Sequence, residues 1–105
     1  MYIDQLFNLN GKVAAVIGAG GHLCSEMARS FARAGCKVVI IDLRIEKAQK
    51  VEKEINEEGF NHTISLALDV AQKEQHYQVL DTIVNHFGSL DIMVNGAGIN
   101  GSTPY

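Results

Sequence analysis

The sequence predicts an α/β fold in which helices cover both faces of a parallel sheet of about four strands. The apolar run VAAVI passes into a glycine-rich turn at residues 18–21, and a second apolar run, VVIID, ends at Asp42, 24 residues after Gly18. Strand-length apolar runs then alternate with helix-periodic segments along the rest of the chain, as in βαβ units. Right-handed crossovers give the strand order 3-2-1-4, with the fourth strand on the far side of the first. We expect residues 1–105 to form one domain of this partial Rossmann type.

Four strands and three helices alternate along the chain. Each predicted strand is a short apolar run, and the strands cover residues 12–17, 37–41, 62–68 and 90–94. Each predicted helix is a segment in which apolar residues recur every three or four positions, over residues 22–34, 44–58 and 71–87. A glycine follows each helix, at position 35, 59 or 88, where a left-handed residue commonly ends a helix.

The apolar stripe of each helix is expected to pack on the sheet. The stripes are Leu23, Met27, Phe31 and Ala34 in the first helix, Ile45, Ala48, Val51 and Ile55 in the second, and Tyr77, Leu80, Val84 and Phe87 in the third. Charged residues separate the members of the second stripe, among them Lys47 and Lys50. We interpret these charges as a solvated face rather than a binding patch.

The glycine-rich turn is typical of a dinucleotide-binding site. Gly18 lies where the first strand must bend sharply, and Gly20 and Gly21 carry no side chain, so that backbone N–H groups can approach a pyrophosphate. His22 and Leu23 follow at the start of the predicted helix, where an anion is favoured. The alternative is a glycine-rich turn that binds nothing, because the third position of a G-x-G-x-x-G pattern falls on Leu23.

The end of the second strand favours NAD over NADP. Asp42 lies near the offset at which a carboxylate accepts hydrogen bonds from the adenosine ribose hydroxyls. A 2′-phosphate would bring its negative charge against Asp42, and Arg44 is the one cation expected nearby. The side chain of Arg44 could equally point to solvent.

The other strand ends are expected to meet the same ligand, because ligands bind outside the carboxyl ends of parallel strands. Asp69 follows the third strand and is placed to touch adenine, whereas residues 95–98 follow the fourth strand and would line the nicotinamide ribose. The complete set of predicted cofactor-binding residues is Gly18, Gly20, Gly21, His22, Leu23, Asp42, Leu43, Asp69, Val70, Asn95, Gly96, Ala97 and Gly98.

These segments together resemble the N-terminal part of the short-chain dehydrogenase/reductase family. The segments FNLNGKVAAVIGAGG, ARAGCKVVIIDL, LALDV and FGSLDIMVNGAG occur in the order and spacing of that family. Against its T-G-x-x-x-G-x-G motif, Gly18 matches, whereas His22 and Cys24 stand for the second and third glycines. Against its N-N-A-G turn, Gly96 stands for the second asparagine. The pair GAGGHLCSEMA and VNGAGIN is similar to the fructuronate reductase or mannonate oxidoreductase type, which acts on sugar acids.

The resemblance implies an NAD(P)-dependent oxidoreductase whose catalytic serine and Y-x-x-x-K residues lie beyond this chain. None of Tyr2, Tyr77 and Tyr105 has a lysine four positions later, so no catalytic residue is assigned. We expect a dinucleotide-binding portion truncated before the catalytic half and inactive alone. A small-molecule substrate would then bind only together with such a half.

Two further functions stay open. We expect the chain to self-associate through the exposed edge of the fourth strand, at Ile92, Met93 and Val94. One of the two open functions is accordingly a free-standing nucleotide-binding or assembly module. The other is a methyltransferase-like domain that binds S-adenosylmethionine, although the acidic residue usual before the first glycine of such turns is lacking.

Composition excludes several other classes of function. The chain of 105 residues has 9 basic and 12 acidic residues and a net charge of −3, which gives no electrostatic signature for nucleic acid. Its apolar runs are far shorter than a membrane span, and its N-terminus lacks a basic leader, so we expect a cytoplasmic protein without membrane contact. His62, His76 and His86 lack metal-ligand spacing, so no metal is expected. We interpret Cys24 as a small packed residue rather than a reactive thiol.

Overall fold

The computed structural model describes residues 8–96. Seven elements follow one another along this part of the chain. The strands are β1 (Val13–Ile17), β2 (Lys37–Asp42), β3 (Thr63–Ala67) and β4 (Ile92–Asn95), and the helices are α1 (His22–Arg33), α2 (Ile45–Glu57) and α3 (Lys73–Phe87). Each element overlaps the segment predicted for it.

The strands form one parallel sheet in the order β3-β2-β1-β4, which confirms the predicted order. Ile17 of β1 pairs with Ile41 of β2 on one side and with Asn95 of β4 on the other. The three strand ends that follow these residues therefore lie side by side at the carboxyl edge of the sheet. The chain adds β2 and β3 on one side of β1 and then crosses to the other side to form β4. This change of side makes the end of β1 the topological switch point, where ligands of open α/β sheets bind.

The two faces of the sheet have separate apolar cores. Side chains of β1 alternate between them, so that Ala14 and Val16 face α1 and α2, whereas Val13, Ala15 and Ile17 face α3. All five residues of β1 are buried because helices cover both faces of this strand. The sheet is therefore the rigid frame from which the loops at its carboxyl edge project.

The predicted packing face is right for α2 and only partly right for α1 and α3, where Phe31 and Phe87 alone among the predicted residues are packed against the cores of the described chain. Ala48, Val51 and Ile55 of α2 are buried as expected. In α1 the buried line is Cys24, Ala28 and Ala32, one position further along than predicted, and Leu23 is 60% exposed. Small side chains let the backbone of α1 approach the sheet closely, an arrangement that a search for large apolar residues does not detect.

In α3 the buried residues are Val79 and Ile83, with Phe87 packed beside them. Tyr77, Leu80 and Val84 are exposed, so three of the four residues of the predicted stripe do not pack on the sheet. The buried line and the predicted stripe both recur at helical spacing. Only contact with the sheet distinguishes them. The outer face of α3 is consequently apolar and uncovered in the described part of the chain.

Candidate dinucleotide site

The glycine-rich turn joins the end of β1 to the start of α1 and is closed by backbone hydrogen bonds. Gly18 has a φ of +84°, which confirms that the sharp bend needs a glycine. The amides of Gly18 and Ala19 both donate to the carbonyl of Ile41, at 2.8 and 3.0 Å, and Gly21 donates to the carbonyl of Gly18 at 3.0 Å. The turn is therefore fastened to β2 as well as to its own first residue.

Asp42, at the end of β2, holds this turn from the neighbouring strand. Its Oδ2 accepts a hydrogen bond from the Gly20 amide at 2.9 Å, and its Oδ1 accepts one from the Arg44 amide at 3.1 Å. An ionised carboxylate has about four acceptor positions, so Asp42 retains capacity for further donors. The carboxylate predicted to bind the ribose is thus in contact with the turn predicted to bind the pyrophosphate.

Gly20 is required by this close approach rather than by its backbone angles. A Cβ at position 20 would lie 2.7 Å from Asp42 Oδ2 and 2.7 Å from Lys47 Cβ. Lys47 Cβ is close to the backbone of α2 and cannot swing away as the end of a side chain could. Glycine at this position therefore lets the turn, Asp42 and α2 meet.

The N-terminus of α1 faces the same edge of the sheet. Gly21 is the N-cap residue with extended backbone angles, and no side chain caps the helix within the described residues. The first amides of any α-helix lack intrahelical acceptors and carry the positive end of the helix dipole. His22 and Leu23 are exposed at this end. Their backbone N–H groups are the donors that an anionic group would meet here.

A cleft of about 350 Å³ opens beside the turn, between α1 and α2. Its wall includes Gly20, His22 and Ser25 from the α1 side and Lys47 and Lys50 from α2. The two lysines were interpreted from the sequence as part of a solvated face, and Arg44 as the one nearby cation. Both lysines are exposed, in agreement with a solvated face. The structure adds that Lys47 Cβ lies close to Gly20. Lys47 lies five residues after the end of β2, and nothing in the sequence pattern predicts its contact with Gly20.

The third strand contributes Asp69 at the carboxyl edge. The Leu68 amide donates to the Asp42 carbonyl at 3.0 Å, which ties the end of β3 to the end of β2. Asp69 Oδ1 accepts from the Ala71 amide at 3.0 Å and so closes a local turn. Leu43 and Val70, which follow these two strand ends, are 65% and 43% exposed. Two apolar side chains are therefore presented beside two carboxylates.

The fourth strand ends next to β1. Asn95 pairs with Ile17, and the Gly96 amide donates to the Ile17 carbonyl at 2.9 Å. Gly96 is buried, whereas Asn95 is exposed. The predicted site residues Ala97 and Gly98 lie outside the described residues.

Two absences apply to residues 8–96 alone. Within this range no group of three or more histidine, cysteine or acidic side chains could hold a metal ion. No helix in the same range is long and apolar enough to cross a membrane.

The fold and the geometry of this edge are those of the Rossmann class of α/β proteins. Comparison with protein families narrows this class: residues 12–105 match the model of the short chain dehydrogenase family. The chain belongs to that family, as the resemblance of its motifs predicts.

Individual relatives agree with this assignment. The chain is 42% identical over 93 residues to the uncharacterized oxidoreductase UxuB of Bacillus subtilis (strain 168), a match that covers 89% of this chain and 33% of the relative. It is 37% identical, with a TM-score of 0.82, to a structure from Haemophilus influenza with bound NAD, provisionally assigned as a D-mannonate oxidoreductase. That match covers 95% of this chain and 35% of the other.

A third similar structure is 3-ketoacyl-(acyl-carrier-protein) reductase from Brucella melitensis complexed with NADH. It is 33% identical with a TM-score of 0.74, and the match covers 81% of this chain and 33% of that one. The chain thus spans about a third of the length of these three relatives.

Proposed function

We propose that this chain forms the dinucleotide-binding portion of an NAD(P)-dependent oxidoreductase and that it prefers NAD to NADP. The observation that carries the proposal is the contact of the Asp42 carboxylate with the Gly20 amide, at 2.9 Å, beside the N-terminus of α1. A pyrophosphate bound by the first amides of α1 places the adenosine ribose next to Asp42. The free acceptor positions of this carboxylate then bind the ribose hydroxyls.

The remaining predicted residues line the path of the same ligand. Exposed Leu43 and Val70 supply apolar surface for the adenine ring at the ends of β2 and β3, and Asp69 lies next to Val70. Asn95 and Gly96 begin the turn that would line the nicotinamide ribose on the other side of β1. We therefore assign the eleven described residues of the predicted set to one binding site, and the roles of Ala97 and Gly98 stay predictions from the sequence.

The charges near Asp42 oppose one another. Asp42 repels a 2′-phosphate, whereas Lys47, Lys50 and Arg44 attract one. Asp42 prevails in our proposal because it is half-buried against the turn, whereas the three cations are exposed and screened by solvent. The preference for NAD thus depends on one carboxylate, that of Asp42.

Replacing Asp42 tests this proposal directly. The variant Asp42→Asn keeps one oxygen that can accept from the Gly20 amide, removes the negative charge, and replaces the oxygen that accepts from the Arg44 amide with an NH2 group. We expect calorimetric titration of the parent chain to give at least about tenfold tighter binding of NADH than of NADPH, and we expect this ratio to fall to about one or below in the variant.

The matched control is Glu46→Gln, which removes one exposed negative charge from the first turn of α2. It should leave the ratio of the two affinities unchanged. An unchanged ratio in Asp42→Asn, or an equal change in both variants, would contradict the assignment of Asp42.

The chain is expected to be inactive alone, because the family resemblance places the catalytic serine, tyrosine and lysine beyond it. Tyr77 is 61% exposed on α3 and is followed by Asp81 at helical spacing, so it does not supply the missing acid. We propose sugar acids as the substrate class, on the basis of the motif pair and the likeness to the Haemophilus structure. Measurable oxidation of mannonate with NAD by this chain would overturn its proposed inactivity.

A second candidate function is assembly without catalysis. Among residues 8–96, β4 is an outer strand of the sheet and its Met93 is 53% exposed. An outer strand can pair with a second copy of the chain. Sedimentation velocity over a range of concentrations should then show a dimer that Met93→Lys dissociates. A chain that stays monomeric at every concentration would exclude this candidate.

A cytoplasmic location stays a prediction from the sequence.

A further inference from the structure

Two departures from the family motifs meet in space. Cys24 stands for the third glycine of the phosphate-binding motif, and Gly96 stands for the second asparagine of the turn after β4. A Cβ placed on Gly96 would overlap Cys24 Sγ and would lie 3.1 Å from the carbonyl oxygen of Ile17. The cysteine therefore occupies the space in which a side chain at position 96 would begin.

Neither partner can yield easily. Cys24 is 5% exposed and lies in the first turn of α1, where packing on the sheet restricts its single side-chain torsion. Gly96 is buried, and its amide is held by the Ile17 carbonyl at 2.9 Å. Burial also raises the pKa of the Cys24 thiol, with the charge of Asp42 acting in the same direction, so the sulfur is a neutral packing group.

We propose that Cys24 and Gly96 are a matched pair in which the cysteine sulfur substitutes for a side chain at position 96 and positions Gly96, the residue after β4, against α1. The packing part of this proposal stands on the geometry alone. Its consequence for the nicotinamide half of the ligand rests on the proposed function.

The packing part is tested by thermal unfolding of the full chain without nucleotide. Gly96→Ala should lower the melting temperature by about 5–15 °C because the new methyl group overlaps the sulfur. The double variant C24G/G96A should recover at least half of this loss, because the methyl group enters the vacated space. Recovery stays incomplete because the Ile17 carbonyl oxygen remains close.

The matched control is Cys36, the other buried cysteine, whose Sγ donates to the Leu9 carbonyl at 3.5 Å. Cys36→Ala should give no recovery when it is combined with Gly96→Ala. Additive losses in C24G/G96A, or equal recovery with Cys36→Ala, would overturn the pair. If Gly96→Ala does not fold, restored folding in C24G/G96A supports the pair and failure to fold overturns it.

The effect on the nicotinamide half of the site is tested with two ligands, NADH, which contains a nicotinamide half, and AMP, which lacks one. Cys24→Gly should weaken NADH binding by roughly tenfold, equivalent to about 1.4 kcal/mol, and leave AMP binding unchanged, because AMP occupies only the Asp42 side. Equal weakening of both ligands, or of neither, would overturn this part. If the parent chain binds neither ligand while the unfolding coupling persists, the proposed function fails and the packing pair stands.

Discussion

Asp42 both organises the glycine-rich turn and supplies acceptor positions to whatever binds there. Its contact with the Gly20 amide joins residues 22 positions apart in the sequence, and this contact fixes the carboxylate before any ligand arrives. A preformed acceptor reduces the ordering cost of binding. The same contact makes Gly20 the most constrained glycine of the turn that does not have a positive φ.

Gly20 and Gly21 provide a matched pair of substitutions at the residue scale. Gly20→Ala should destabilise the chain by about 1–3 kcal/mol, because its Cβ would meet Asp42 and the Cβ of Lys47. Gly21→Ala should change stability by less than about 1 kcal/mol, because its Cβ would lie 3.4 Å from the Gly18 carbonyl oxygen and its φ of −78° suits alanine.

Chemical denaturation of the two variants measures this difference in the free energy of unfolding. Equal losses of unfolding free energy in the two variants would show that the contacts with Asp42 and Lys47 do not make Gly20 special. A larger loss in Gly21→Ala would contradict the described geometry.

Sequence reasoning at the residue scale succeeds where a single pattern fixes a position. The bend at Gly18 and the carboxylate at the end of β2 follow from the spacing of one βαβ unit. Lys47 and the contact of Cys24 with Gly96 could not be predicted, because each depends on how closely two separate elements approach. Residues 24 and 96 come together only when β4 lies beside β1.

Among the elements, β4 is the last strand along the described chain, and Asp91 holds its start beside β1. The Asp91 amide donates to the Val13 carbonyl at 2.9 Å, and the Asp91 carboxylate accepts from the Val13 amide at 2.8 Å. The Val13 N–H lowers the pKa of this carboxyl below its usual value, and Ser89 and Lys12 act in the same direction. The residue was not singled out from the sequence, because its role depends on the pairing of β4 with β1.

The stabilisation by Asp91 should depend on pH. Because the folded pKa lies below the unfolded value of 3.8, the ionised carboxyl stabilises the fold above that value, and the effect is lost as the pH falls through the folded pKa. Asp91→Asn should therefore melt below the parent at pH 7, and the difference should shrink as the pH falls below 4.

The control for this experiment is Asp81→Asn, an exposed acid in the middle of α3. Its melting temperature should stay close to that of the parent across the same pH range. A pH-independent difference for Asp91→Asn would contradict the role of its charge.

The helices illustrate what periodicity can and cannot supply. The stripe of α2 is correct because its apolar residues are also the ones that pack, whereas α1 presents small residues and α3 presents a β-branched line to the sheet. Helical spacing alone gives several candidate faces, and contact with the sheet selects one of them. The presence of each helix was thus predictable, but which face of the helix packs on the sheet was not.

Across the whole molecule, the strand order places the predicted site residues at one edge of the sheet. This order was predicted from the handedness of crossovers and the reversal of direction at β1, and it is confirmed. The sequence did not predict the cleft between α1 and α2, because that space depends on the packing of two helices. The sequence also did not predict that the outer face of α3 is apolar and exposed in the described chain.

The central claim is that a dinucleotide binds at the carboxyl edge of this sheet, and the glycines provide the most direct test of it. Gly18, Gly20, Gly21 and Gly96 lie at the carboxyl edge, whereas Gly11, Gly35, Gly59 and Gly88 lie at the opposite edge. Titration of a ¹⁵N-glycine-labelled chain with NADH should shift the amide signals of the first group and leave those of the second unchanged. Shifts confined to the second group, or no shift at saturating NADH, would contradict the claim.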